Sequence, residues 1–337
     1  MDRPAAPDFP PGHRLIRRLT AVTAVATFLL IVAGGVVRVT GSGLGCGAPI
    51  AAEPGQNWPL CAGHLVPPPD IPTLIEFSHR LLALIATVLM AVTLVVVLAR
   101  HRSERRLVVA AVAAAVLLAI QILLGFVVVE TGLLGSTIMI HLANAELLLS
   151  VLVYLAYAAR VTGTARDRRQ LAPQGLRRLL WAAAISVYLL VLSGALVVDT
   201  GASSDCLGWP LCGNGFELPA SWLGAVSLLH RVLVALVALL VGFAMGMALR
   251  RSSDRGLRLA AMFVNLLLLA QIAAGAVMVD TDLETAARSS HEALASAFWA
   301  MTVLVAVLGH RTALRSPEPG RRIAERRQVT APGVSSG

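Results

Sequence analysis

Four of the eight histidines recur at matching positions of an internal repeat. His79 pairs with His230, and His141 with His291, each at an offset of about 150 residues. The separation between the two histidines is nearly the same in both halves. Two imidazoles held at one depth on separate helices of a bundle can bind a haem iron from opposite faces. The spacing therefore predicts two bis-histidine haem sites, one in each half.

Two other interpretations of these histidines stay open. A histidine near a membrane interface can bind water or a carbonyl group, and two histidines can bind zinc or copper. A zinc or copper site would need carboxylate or thiolate partners at the same depth. No Cys-x-x-Cys-His motif occurs, which argues against covalently attached haem. The other four histidines lie in predicted tails or loops, and we expect them to be solvated: His13, His64, His101 and His310.

Glu76 lies three residues before His79 on the same predicted helical face, whereas the second half has Ser227 at the matching position. A partly desolvated carboxylate one turn from a haem ligand could exchange protons during a reaction. The alternative is an acidic residue that stabilises a helix amino terminus. Because only the first half has this carboxylate, we predict the reaction there and an electron-transfer or structural haem in the second half. Glu146 and Glu292 also lack counterparts and receive no role.

Arg80 and Arg231 each follow a repeated histidine, on the side of the membrane where arginine is otherwise scarce. Their guanidinium groups could bind the carboxylates of a haem that enters from the outer surface. Pairing with lipid headgroups is the alternative.

The four cysteines form one pair in each large outer loop, Cys46 with Cys61 and Cys206 with Cys212. A disulfide in each loop is natural on an oxidising side of the membrane. The disulfides could be structural, or they could pass electrons to or from a nearby haem. The sequence leaves both roles open.

The composition indicates the elements that must position these residues. Of 337 residues, 57% are hydrophobic and 14% are charged, with a mean hydropathy of +0.76. A soluble domain carries more charge, and the basic residues lie in clusters between apolar runs rather than in a nucleic-acid-binding surface. Eight stretches are long enough to be transmembrane helices: 19–37, 74–98, 107–129, 141–158, 179–198, 228–249, 257–279 and 291–308. The predicted fold is an all-α membrane protein.

The arginines predict the orientation of the spans. Of the 28 basic residues, all arginine, 24 fall in the two tails and in the loops after spans two, four and six. The positive-inside rule places these segments, and both termini, in the cytoplasm of a multi-pass protein of the cell membrane. The repeated histidines then lie toward the outer face.

The repeat extends beyond the histidines. The motif that starts at Trp58 recurs at Trp209, and the motif that starts at Gln121 recurs at Gln271, while the first half carries nine extra residues between Cys46 and Trp58. Each half has four spans, so the copies share one orientation and form two parallel, pseudo-symmetric four-helix bundles. The predicted segments are a mobile tail, the first bundle, a cytoplasmic linker, the second bundle and a disordered basic tail: 1–13, 14–160, 161–178, 179–310 and 311–337.

Three motifs resemble those of the heme A synthase family, membrane enzymes of cytochrome oxidase maturation: Gly35–Cys46, Trp58–Cys61 and Glu76-Phe-Ser-His79-Arg80. The likeness covers roughly residues 15–310. It implies oxidation of a methyl group of heme O to the formyl group of heme A by successive hydroxylations, for use in terminal oxidases. It also implies a catalytic substrate-haem site at Glu76, His79 and His141. The insertion after Cys46 departs from the family pattern.

The resemblance further implies a bound heme b at His230 and His291 and an outer-loop disulfide between Cys206 and Cys212. The expected partners are heme O, the farnesyltransferase that makes it (heme O synthase), membrane lipid and an electron acceptor such as quinone. Nucleic acid is not expected. One rival function is a di-haem b-type cytochrome that carries electrons between quinol and a partner. Another is a transporter with parallel repeats, which predicts no stoichiometric haem.

Overall fold

The computed structural model describes residues 11–47, 60–61, 63–162, 164, 171–213 and 216–311. Within these ranges the chain forms eight long helices: α1 (Pro11–Val39), α2 (Ile71–Arg100), α3 (Arg105–Glu130), α4 (Gly135–Val161), α5 (Gln174–Asp199), α6 (Trp222–Arg251), α7 (Arg255–Asp280) and α8 (Thr285–His310). Each helix is long and apolar enough to cross a membrane. The predicted all-α, multi-pass membrane fold is confirmed.

Every helix is longer than the span predicted for it. α1 begins at Pro11, inside the predicted tail, and α5 begins at Gln174, inside the predicted linker. Hydropathy marks only the part of a helix in hydrocarbon, while the helix continues through the interface until a residue caps it. At α2 the cap is Asp70, whose carboxylate accepts hydrogen bonds from the Thr73 amide and hydroxyl. These bonds hold the pKa of Asp70 below its ordinary value.

Predictions about Trp58, the inserted residues before it, residues 1–10 and residues 312–337 lie outside the described residues. The same holds for residues 163 and 165–170 of the predicted linker.

Helix contacts follow the two halves of the sequence. Within the first half α1 packs on α2 and α4, and α3 packs on α2 and α4; α5 to α8 make the equivalent contacts in the second half. Each half has its own buried apolar cluster. The halves meet where α8 contacts α1 and α4, and where α4 contacts α5. The predicted symmetry axis along the membrane normal stays a prediction.

One predicted solvated histidine is buried. His101, the residue that caps α2, is only 6% exposed, and its ring lies edge-on to His13 with centroids 5.2 Å apart. The prediction for His101 was wrong because α1 starts earlier than expected, so that its first turns pack against the end of α2. His64 and His310 are exposed, as predicted.

Candidate haem sites at the repeated histidines

The four repeated histidines lie in the second or third turn of the even-numbered helices, at the end of the bundle that carries both disulfides. His141 lies within electrostatic range of His79. His230 lies within electrostatic range of His291. The fold therefore brings the histidines together in the two pairs that the repeat predicts.

A glycine on a neighbouring odd-numbered helix faces each histidine ring. A β-carbon at any of these glycines would lie 3.0–3.3 Å from the Cε1 atom of the facing ring, which is closer than side chains normally pack. The facing pairs are Gly34 with His79, Gly125 with His141, Gly194 with His230 and Gly275 with His291. These glycines were not predicted, although they recur at the repeat offset. They show that each ring is seated against a backbone.

Two glutamines contact ring nitrogens. The Nε2 amide of Gln121 donates to Nε2 of His141 at 3.0 Å, and that of Gln271 donates to Nε2 of His291 at 3.2 Å. An amide NH₂ group is a donor, so each ring nitrogen is the unprotonated acceptor, which is the form that binds a metal. Both glutamines stand in the repeated motif, but their role was not predicted.

The two histidines of each half fit haem better than they fit a zinc or copper ion. Among the described residues no three His, Cys, Asp or Glu side chains come together to hold a metal ion, so a zinc or copper site would have only two protein donors in each half. Haem needs only two, because the porphyrin supplies the other four nitrogens. The unprotonated Nε2 atoms of His141 and His291 are the nitrogens that iron would use.

Glu76 lies between His79 and the first disulfide loop and is only 4% exposed. Its carboxylate accepts hydrogen bonds from the Arg80 guanidinium at 2.5 and 3.1 Å and from the Cys46 amide at 2.8 Å. It does not cap the helix, because Asp70 does. Ser227, the matching residue of the second half, is equally buried but carries no charge.

The structure contains both expected disulfides, Cys46–Cys61 and Cys206–Cys212. The two predicted haem-carboxylate ligands hold these loops to the helices. Arg80 donates to the Leu60 carbonyl at 2.6 Å. Arg231 donates to the carbonyls of Cys206, Gly208, Pro210 and Leu211. Binding of haem carboxylates by these arginines stays a prediction.

The two unassigned glutamates lie where the halves meet. Glu146 of α4 is fully buried and accepts a 2.5 Å hydrogen bond from Ser296 of α8, its own counterpart in the repeat. The Trp299 indole donates to the Glu146 carbonyl at 2.9 Å. Glu292 packs against Gly35 of α1 and interacts electrostatically with arginines on both sides of the interface, Arg38 and Arg288. Both glutamates therefore serve contacts between the halves.

Comparison with known proteins identifies the family of this chain. The model of the cytochrome oxidase assembly protein family, COX15-CtaA, matches residues 17–303. This chain belongs to that family. Similar members include heme A synthase of Geobacillus thermodenitrificans, 28% identical over 93% of this chain and 97% of the relative. Heme A synthase of Bacillus cereus strain G9842 is 26% identical over 91% of this chain and 97% of the relative.

Proposed function

We propose that this protein is a heme A synthase, an oxidoreductase that converts a methyl group of heme O to the formyl group of heme A. The observation that supports this proposal most strongly is the two histidine pairs whose rings pack against glycines. Within the described residues, the first pair has the buried Glu76 carboxylate beside it and the second pair has Ser227 at that position. The family match and the names of the relatives support the same activity.

In this proposal His79 and His141 hold the substrate haem, and His230 and His291 hold a resident heme b. A haem held by His230 and His291 would supply a one-electron carrier. The protein's part is to hold each haem between two neutral imidazoles and to place one carboxylate beside the first. The proposal assigns Glu76, His79 and His141 to catalysis and the second pair to cofactor binding.

Oxidation of a methyl group to a formyl group releases four electrons and four protons. Each of two hydroxylations adds one oxygen atom, in net from water, and releases two electrons and two protons. The resulting gem-diol loses water to give the formyl group. We propose that the four electrons leave through the second haem to an acceptor of the quinone class. Glu76 can accept protons or stabilise positive charge on the reacting carbon, because Arg80 and the Cys46 amide fix its carboxylate in place.

The proposed orientation puts both termini in the cytoplasm and the histidine pairs toward the outer face, as the arginine distribution predicts. Heme O carries a farnesyl chain, so a site inside membrane-spanning helices is accessible to this lipidic substrate. We expect the protein to receive heme O from heme O synthase.

The test measures haem content and product in protein co-expressed with heme O synthase. We expect a Soret band in the purified protein and heme A in the extract, with heme A formation reduced about 10²-fold or more by Glu76→Ala. Ser227→Ala is the matched control and should keep normal product. Unchanged heme A in Glu76→Ala would overturn the role of Glu76. Wild-type protein that binds haem but forms no heme A would favour the electron-carrying cytochrome, and purified protein without haem would favour the transporter.

A further inference from the structure

We infer that polar neighbours of the histidines make the second haem site retentive and the first exchangeable, with Ser193 and Asn144 as positioning residues. The inference rests on the proposed function and explains how one chain keeps one haem while it releases another.

Ser193 of α5 supports the ligand His230 from behind. Its hydroxyl donates to the Leu190 carbonyl at 2.8 Å, so its oxygen is left to accept from Nδ1 of His230, also at 2.8 Å. That bond keeps the proton on Nδ1 and leaves Nε2 unprotonated for iron. Hydrogen bonds of this kind fix the orientation of a metal-binding imidazole and raise its basicity.

The first half lacks this hydroxyl. Gly34 and Gly194 occupy matching places against the His79 and His230 rings, so the residue before each glycine also matches: Ala33 stands where Ser193 stands. The His79 ring has the Leu30 backbone as its partner instead, in a geometry too poor for a normal hydrogen bond within the described residues. His79 therefore has a weaker partner on that side than the Ser193 hydroxyl gives His230.

At the second histidine of each pair, it is the first half that has the additional polar contact. Asn144 donates to Oε1 of Gln121 at 2.6 Å and to the Leu117 carbonyl at 3.0 Å, which fixes the Gln121 amide against Nε2 of His141. The matching residue of the second half is Leu294. Within the described residues, Oε1 of Gln271 is buried and has no hydrogen-bond partner.

We expect the Ser193 contact to strengthen haem binding at the second pair and the Asn144 contact to weaken it at the first pair. Gln121 and Gln271 each occupy a nitrogen that iron would use, so each amide must move when haem binds. Gln121 is anchored and competes with iron, whereas Gln271 has no such anchor and gives way more readily. Together with Ser193, this difference weakens ligation at the first pair and strengthens it at the second.

The first experiment measures retention of heme b in the purified holoprotein. Ser193→Ala should speed transfer of heme b to excess apomyoglobin by about 10-fold or more, the range found for lost second-shell partners. It should also raise the haem midpoint potential, because the ligand becomes less basic. Ser193→Thr should restore both values. Ser186→Ala is the control, since this α5 hydroxyl donates to the Ala183 carbonyl of its own helix.

The second experiment measures haem occupancy of the first pair. Asn144→Leu, which copies the second half, should free the Gln121 amide, so that more heme O and heme A stay bound and transfer to apomyoglobin slows. Equal transfer rates and potentials in Ser193→Ala and Ser186→Ala would overturn the role of Ser193. Unchanged retention of heme O and heme A in Asn144→Leu would overturn the role of Asn144. Wild-type protein that carries no haem would instead overturn the proposed function itself.

Discussion

In the first half of the chain Glu76 lies between a disulfide loop and His79, where its carboxylate binds Arg80 and the Cys46 amide. In the second half Ser227 occupies that place, and Arg231 donates to loop carbonyls. The histidines and their facing glycines are the same in both halves. If our proposal is right, the repeat preserves the scaffold for haem, and the polar residues around that scaffold decide which half does chemistry.

The largest effect on heme A formation should come from Arg80→Gln, with Arg231→Gln as its counterpart in the second half. Arg80→Gln breaks a buried ion pair with Glu76, a change that costs about 3–5 kcal/mol in comparable sites and leaves the carboxylate misplaced. We expect heme A formation to fall about 10²-fold or more. Arg231→Gln should loosen the second loop and reduce heme A formation less than Arg80→Gln does. Equal loss of product in both variants would contradict the asymmetry, and loss of heme b in Arg231→Gln would indicate that Arg231 also binds haem carboxylates.

The disulfides should differ in their contribution to stability. The sequence separation is 15 residues for Cys46–Cys61 and 6 for Cys206–Cys212. Loop-closure entropy then predicts losses of about 3 and about 2 kcal/mol when each pair is changed to serine. Thermal unfolding in detergent measures both. A larger loss for the second pair would show that contacts within the loops, rather than chain entropy, determine the order.

The interface between the halves gives the next prediction. Glu146→Ala removes the bond to Ser296 and leaves a cavity, so we expect a loss of about 2 kcal/mol. Glu146→Gln keeps an acceptor for Ser296 and removes a buried carboxylate, so it should be at least as stable as wild type. Thermal unfolding separates the two variants. A Gln variant as unstable as the Ala variant would mean that the charge itself is required.

The smallest effect concerns the helix caps near each site. Asp70 caps α2 and has a lowered pKa. At α6 the cap is the Ser221 hydroxyl, which does not titrate in this range, and the Asp205 carboxylate accepts from both Ser221 and the Gly224 amide. A lowered pKa in the folded state adds stability above the unfolded value, and this is lost as pH falls through the folded value. The melting difference between wild type and Asp70→Asn should therefore be present at neutral pH and shrink in acid. Glu104→Gln is the control, since the Glu104 side chain does not cap α3. A difference that does not change with pH would contradict this account.

Sequence patterns predicted the spans and the histidine pairs for physical reasons. A transmembrane helix must be apolar over about 20 residues, and a duplicated gene aligns His79 with His230 whatever the details of packing. The rotation of each helix about its axis could not be predicted in this way. When a helix is apolar on every side, its sequence gives little information about which face meets a neighbour. The contacts of Gln121, Asn144 and Ser193 depend on that rotation, and only the structure revealed them.

The loops were predicted less completely. Cysteine pairing followed from position, and both disulfides are present. The bonds from Arg80 and Arg231 to loop carbonyls could not be foreseen, because backbone acceptors leave no trace in side-chain identity. His101 was misplaced because the start of α1 depends on its packing rather than on hydropathy.

The most direct test of two separate haem sites is identification of the porphyrins bound to three proteins co-expressed with heme O synthase. These are the wild type, His79→Ala/His141→Ala and His230→Ala/His291→Ala. We predict heme b together with heme O or heme A in the wild type, heme b without heme A in the first double variant, and loss of heme b in the second. Colourless wild-type protein, or wild-type levels of heme A in the first double variant, would contradict the account.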